Sequence, residues 1–148
     1  MGSTLPPRPT RVFVDTSVLF AGSLSGSGFA RDLILAGSRG TLDIVLSQFG
    51  ILKTRRNLAR KAPQAVPFFE AFLASELVRL IDPPAALVRQ MATTIALKDA
   101  PVIAGAIQAG APSLPTYERK HLLAQAAMIQ DEYRIILETP EAVLKRIG

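Results

Sequence analysis

Three acidic residues stand at the ends of apolar segments: Asp15, Asp99 and Glu118. Asp15 interrupts the run RVFVDTSVLFAG (11–22), behind Val12, Phe13 and Val14 and ahead of Val18, Leu19 and Phe20. A carboxylate placed there costs free energy to bury unless something pairs with it. Asp99 opens the segment APVIAGAIQAG, and Glu118 follows SLPTY. Acids brought together repel one another, and a hard divalent cation such as Mg²⁺ relieves that repulsion through oxygen ligands. A metal held in this way activates water and stabilises charge at a phosphodiester. Thr16 and Thr116 lie beside two of the acids, where a hydroxyl can hold a ligand carboxylate or a water.

Each of these residues also has a plainer role. Asp15 and Asp99 are both good helix N-caps, and Glu118 in YERKH can pair with Arg119 or Lys120. The threonines can satisfy nearby backbone groups. The run LKTRRNLARK (52–61) carries Lys53, Arg55, Arg56, Arg60 and Lys61. Such a run can track RNA phosphates, with Arg56 as a phosphate contact, or form the wet face of an amphipathic helix. No aromatic residue is interleaved there to stack bases. Phe68, Phe69 and Phe72 lie at helical spacing, which suits packing in a core or a dimer. His121, the single histidine, is given no role.

The elements that position these residues alternate. Strands are predicted at about 11–15, 42–47, 77–82, 113–117 and 133–139, and helices at 29–37, 48–61, 64–75, 84–97, 100–110, 120–129 and 140–147. Ser47 is placed to cap the helix over 48–61. Residues 23–28, SLSGSG, read as a loop. Strand–helix alternation predicts a layered α/β fold with a mostly parallel sheet. In such a sheet function gathers at the carboxyl ends of the strands, and that is where Asp15 and Glu118 fall.

The 148 residues suit a single domain over 11–148 behind a flexible lead, 1–10, that holds Pro6, Pro7 and Pro9. Apolar residues make up 49% of the chain and mean hydropathy is +0.28. That predicts apolar surface left over for a partner, here a homodimer through the helices at 29–37 and 64–75. The net charge is +5, with 12 arginines to 5 lysines, a balance compatible with a nucleic-acid partner. With no cysteine there is neither a disulfide framework nor a thiolate metal site. No secretory signal or membrane span is legible. A cytoplasmic protein with no membrane partner is the expectation.

These residues in this order resemble the PIN domain, and in particular the VapC-like ribonuclease toxins of toxin–antitoxin pairs. VFVDTSVLFAG resembles the family's first strand and first acid; IVLSQF with RRNL resembles its second strand and following helix; KDAPVIAGAIQAGAPSLPTYERKHLL resembles its late segment. The likeness runs from Arg11 to about Thr139. It implies a three-layer α/β/α sandwich, RNA as substrate, Mg²⁺ or Mn²⁺ held by about four acids, a homodimer and an antitoxin protein as partner. Position by position it makes Asp15, Asp99 and Glu118 the metal ligands and catalytic acids. Glu118 stands where the family usually has aspartate, Lys53 where it has a glutamate, and Pro112 where an aspartate often precedes the strand. A lysine in place of an acid opposes the metal, since one charge pair at ~4 Å and a dielectric near 20 is worth ~4 kcal/mol. Weakened activity is therefore expected. The alternative is a catalytically silent PIN-fold module that binds RNA or a protein partner, with Lys53 forming an ion pair with Asp15 or Asp99. A phosphatase or phosphorelay domain is a third reading, disfavoured because no second aspartate follows Asp15 two residues on.

Overall fold

Val12, Phe13 and Val14 alternate across a sheet that is covered on both sides, which is why the strand reads as an unbroken apolar run. The computed structural model describes residues 9–147. Its elements are β1 (Thr10–Phe13), α1 (Thr16–Leu24), α2 (Phe29–Ser38), β2 (Leu42–Leu46), α3 (Gln48–Lys61), α4 (Val66–Leu73), β3 (Val78–Leu80), α5 (Ala85–Met91), α6 (Ala100–Ala109), β4 (Ser113–Pro115), α7 (Ala126–Tyr133), β5 (Ile136–Glu138) and α8 (Pro140–Ile147). Most of the expected lead lies outside the described residues, and Thr10 already pairs with Leu42 in the sheet.

The five strands run parallel in the order β3-β2-β1-β4-β5. One core packs Val12, Val14, Ile44 and Leu46 against α1–α4 and α8. The other packs Phe13, Val45, Leu114 and Leu137 against α5–α7. Two cores on opposite faces of one parallel sheet make the α/β/α sandwich that the alternation predicts. Gly105 lets α6 settle onto β1: a Cβ at that position would overlap the Phe13 ring. Because β2 and β3 lie to one side of β1 and β4 and β5 to the other, strand order reverses between β1 and β4. That is where a parallel sheet opens a crevice beyond its strand ends.

Several element boundaries differ from the sequence expectation. Helix α1 occupies residues read as an apolar run and extends into the loop expected at 23–28. It is apolar nearly all round, so it shows no 3.6-residue period to recognise. The helix expected over 84–97 stops at Met91, where the Thr93 hydroxyl donates to the Gln90 carbonyl at 2.7 Å. Competition of this kind for helix carbonyls is what makes threonine a poor interior residue. The last strand is three residues, because Tyr133 stays in α7 and Arg134 takes a left-handed conformation at φ 59°. Residues 120–122 are turns rather than helix, with α7 starting only at Ala126.

The apolar faces of α2 and α4 are mostly consumed by the core: Leu33, Ile34, Phe69 and Phe72 are buried, and the Arg31 guanidinium covers the Phe68 ring at 3.5 Å. Exposed apolar side chains sit mainly elsewhere, among them Phe49 (54%), Leu52 (46%) and Leu97 (77%). No helix among the described residues is long and apolar enough to cross a membrane.

Candidate active site

Asp15 stands two residues beyond the end of β1 and caps α1. Its backbone N–H donates to the Pro115 carbonyl of β4 at 3.1 Å, which ties it to the β1–β4 crevice. Its Oδ2 accepts from the Ser17 hydroxyl at 2.6 Å, from the Thr116 hydroxyl at 2.8 Å and, more weakly, from the Ser17 amide at 3.4 Å. Its Oδ1 accepts no hydrogen bond from the described residues. The carboxylate is buried, so capping and crevice placement hold together.

Asp99 occupies the N-cap position of α6 but does not cap it. Its backbone is already helical (φ −95°, ψ −18°) and its side chain accepts no capping bond. The residue is 5% exposed, and its buried Oδ2 has no hydrogen-bond partner among the described residues. Burial chiefly raises its pKa; the charges of Glu118 and Asp15 push the same way, against Lys98 and His121. A buried carboxylate oxygen without a donor is costly.

Glu118 is only half-buried. Its Oε2 accepts from the backbone N–H groups of His121 (2.8 Å) and Leu122 (2.7 Å). Desolvation works to raise its pKa, but these two donors, with the charges of His121 and Lys98, outweigh it and hold the carboxyl below its ordinary value. Neither Arg119 nor Lys120 pairs with it; the backbone of its own turn does.

Asp15, Asp99 and Glu118 line one open cleft of about 280 Å³, edged by Lys53, Lys61 and Lys98. Among the described residues none of these lysines has a carboxylate within 4.0 Å. The ion pair expected between Lys53 and Asp15 or Asp99 is therefore not formed. Lys53 is exposed on α3 and its ammonium lies 5.9 Å from the Phe49 ring centroid, where it keeps its hydration. Among the described residues no three His, Cys, Asp or Glu side chains stand together as a ready metal cluster.

Thr116 is fully buried and bridges two of the acids, donating to Asp15 and accepting from the Glu118 amide at 3.0 Å. Thr16 lines the cleft, and its hydroxyl makes no hydrogen bond with the described residues. Arg56 is exposed and outside the cleft lining, whereas Arg55 pairs with Glu70. Pro112 precedes β4, at the strand end opposite Thr116, and does not line the cleft. Ser17, Phe20, Asn57 and Lys98 also line the cleft, though no sequence motif assigns them there, and Lys61 joins them from the basic run. The four-residue spacing of Lys53, Asn57 and Lys61 on α3 was the available signal.

An all-parallel sheet in this order, covered on both faces and with acids at the β1–β4 crevice, is the PIN fold. Three solved structures show it. VapC20 of Mycobacterium tuberculosis, a toxin that cleaves the sarcin–ricin loop, is 21% identical over 76% of this chain and 94% of its own, with a TM-score of 0.59. PAE2754 of Pyrobaculum aerophilum is 19% identical over 93% and 95%, with a TM-score of 0.63. VapBC2 of Rickettsia felis, bound to a DNA fragment from its promoter, is 15% identical over 88% and 98%, also at 0.63. No family model matches the sequence, and no curated protein matches it. At such identities the likeness establishes the fold.

Proposed function

We propose that this chain is a metal-dependent ribonuclease of the PIN class, toxin-like and weakened by Lys53. The observation that carries the reading is the buried, unpartnered Oδ2 of Asp99 in the same cleft as Asp15 and Glu118. An uncompensated carboxylate in such a place calls for a cation. Carboxylate oxygens are the donors that Mg²⁺ and Mn²⁺ take: the buried Asp15 and Asp99 would hold the ion, and Glu118, which lines the same cleft without standing with them as a ready cluster, would complete the set. Such an ion activates water and stabilises charge on a phosphodiester.

The chain's own groups do the rest. Ser17 and Thr116 fix the Asp15 carboxylate through Oδ2, and no donor among the described residues takes up Oδ1. The backbone turn after Glu118 donates two N–H groups to its Oε2 and holds that carboxyl below its ordinary value. Lys61 and Lys98, which pair with no carboxylate among the described residues, draw the RNA backbone across the acids, as cations do with phosphates. Lys53 lowers metal affinity by adding a positive charge to the cleft.

The resemblance extends the proposal to a cytoplasmic protein with an antitoxin partner; VapBC2 is a neighbour in fold. A homodimer is part of it, and the exposed Phe49 and Leu52 on α3 supply apolar surface for one.

Calorimetric titration with Mn²⁺, followed by incubation with RNA, tests the assignment. Weak binding lost in Asp99→Asn and slow cleavage lost in Asp15→Ala are expected. Absence of both binding and cleavage in the unaltered chain would instead favour the second reading, a silent module that holds RNA or a protein. The specific observation on its side is the free cation of Lys53 in the cleft.

A further inference from the structure

The cleft holds an aromatic ring that the sequence separates widely from its basic helix. Phe20, one turn beyond Thr16 on α1, is half-buried and lines the cleft beside Asn57 and Lys61 of α3. The Lys61 ammonium lies 6.0 Å from its ring centroid. The inner part of the ring packs against the core, which fixes it in place.

On α3 the residues facing the cleft recur every four positions: Lys53, Asn57 and Lys61. Four residues are about one helical turn, so the two ammonium groups flank the amide and are carried on backbone about 12 Å apart along the axis. The Asn57 side chain is half-buried and forms no hydrogen bond with the described residues. An amide presents both donors and an acceptor, which suits the edge of a nucleobase. An anchored aromatic face, a free amide and flanking cations are the components by which proteins hold single-stranded nucleic acid.

We propose that Phe20, Asn57 and Lys61 form a nucleobase subsite beside the acids. One unpaired RNA base stacks on Phe20, its edge meets the Asn57 amide, and Lys61 and Lys53 take the adjoining phosphates. This rests on the ribonuclease reading and deepens it, because it makes the enzyme select single-stranded RNA through a base next to the reacting bond.

The test is fluorescence anisotropy in a chelating buffer, where no metal-dependent cleavage occurs. The probes are a labelled single-stranded oligoribonucleotide and an abasic strand of the same length and charge. The unaltered chain should bind the RNA more tightly than the abasic strand. Phe20→Leu, which keeps the apolar contact with the core, should lose about tenfold in RNA affinity, since base stacking on an aromatic is commonly worth that much or more. Its affinity for the abasic strand should stay the same, and Phe20→Tyr should restore RNA binding. Asn57→Ala, on a part-exposed helix face, should change the ranking of adenine, uracil and cytosine homopolymers. Lys61→Ala should weaken both probes alike and lower the salt slope by about one. Equal binding of both probes, or equal loss of both in Phe20→Leu, would overturn the subsite and leave the ribonuclease reading standing. No binding of either probe would likewise overturn the subsite, while the ribonuclease reading stands or falls on the Mn²⁺ titration and cleavage assay.

Discussion

The Thr116 hydroxyl donates to Oδ2 of Asp15 at 2.8 Å, joining two residues 101 positions apart in sequence. The bond crosses the crevice between β1 and β4, and the same hydroxyl accepts the Glu118 amide. Removing it leaves a buried carboxylate with one strong donor, from Ser17. Thr116→Val should cost ~1–3 kcal/mol in urea unfolding and weaken Mn²⁺ binding roughly 10-fold in calorimetry. Thr116→Ser should recover most of both. Unchanged Mn²⁺ affinity in the valine variant would show that the bond is structural only.

Asp99→Asn should raise stability while removing activity. The Asp99 carboxyl is raised above its unfolded value of 3.8, mainly by burial. The folded state therefore binds that proton more tightly than the unfolded state does. Stability falls as pH rises through the interval above 3.8, and the native protein carries that loss at pH 7. Asparagine removes the charge, so thermal unfolding at pH 7 should shift upward and metal-dependent cleavage should fall to background. A lower Tm for the variant would refute the account of Asp99 as an uncompensated buried charge.

Lys53→Glu should raise Mn²⁺ affinity roughly tenfold, because a cation in the cleft is exchanged for a further acid. Lys53 is exposed and pairs with no acid, so metal-free stability should change by no more than ~0.5 kcal/mol. Calorimetry and urea unfolding read the two effects separately. A large loss of metal-free stability would mean that Lys53 does compensate the acids in solution.

The Arg55–Glu70 pair clamps α3 to α4 through two hydrogen bonds, at 2.5 and 3.0 Å. The bond from Arg55 lowers the Glu70 pKa, against a smaller opposing effect of burial. Both side chains are 42% exposed, so Glu70→Gln should cost at most ~1 kcal/mol at pH 7. A depressed carboxyl stabilises above its unfolded value and loses that effect as pH falls through the folded one. The difference between native and variant should therefore vanish as pH drops below 4.5, and shrink in 1 M salt. A difference that grows on acidification would rule the pair out as its cause.

Sequence by itself determined the layered architecture and which acids approach the sheet. Alternation of apolar strands with helices has one economical solution, a parallel sheet covered twice, and Asp15 and Glu118 follow strands that must end at its carboxyl edge. Local rules also reached the Ser47 cap, whose hydroxyl accepts the Gly50 amide at 3.0 Å. Only the tertiary structure decided what each group does once there. Asp99 satisfies every sequence criterion for a cap, yet it stands unpartnered, because burial and neighbours from β1 and the turn after β4 fix its surroundings. Lys53 stands where the resemblance to the PIN family leads one to expect an acid, yet it pairs with no acid among the described residues, because hydration on an exposed helix face competes with an ion pair worth little there. Phe20 and Lys61 lie 41 positions apart, and no periodicity links them. Packing of α1 against α3 brings them together, and contacts of that kind depend on three-dimensional complementarity rather than on local pattern.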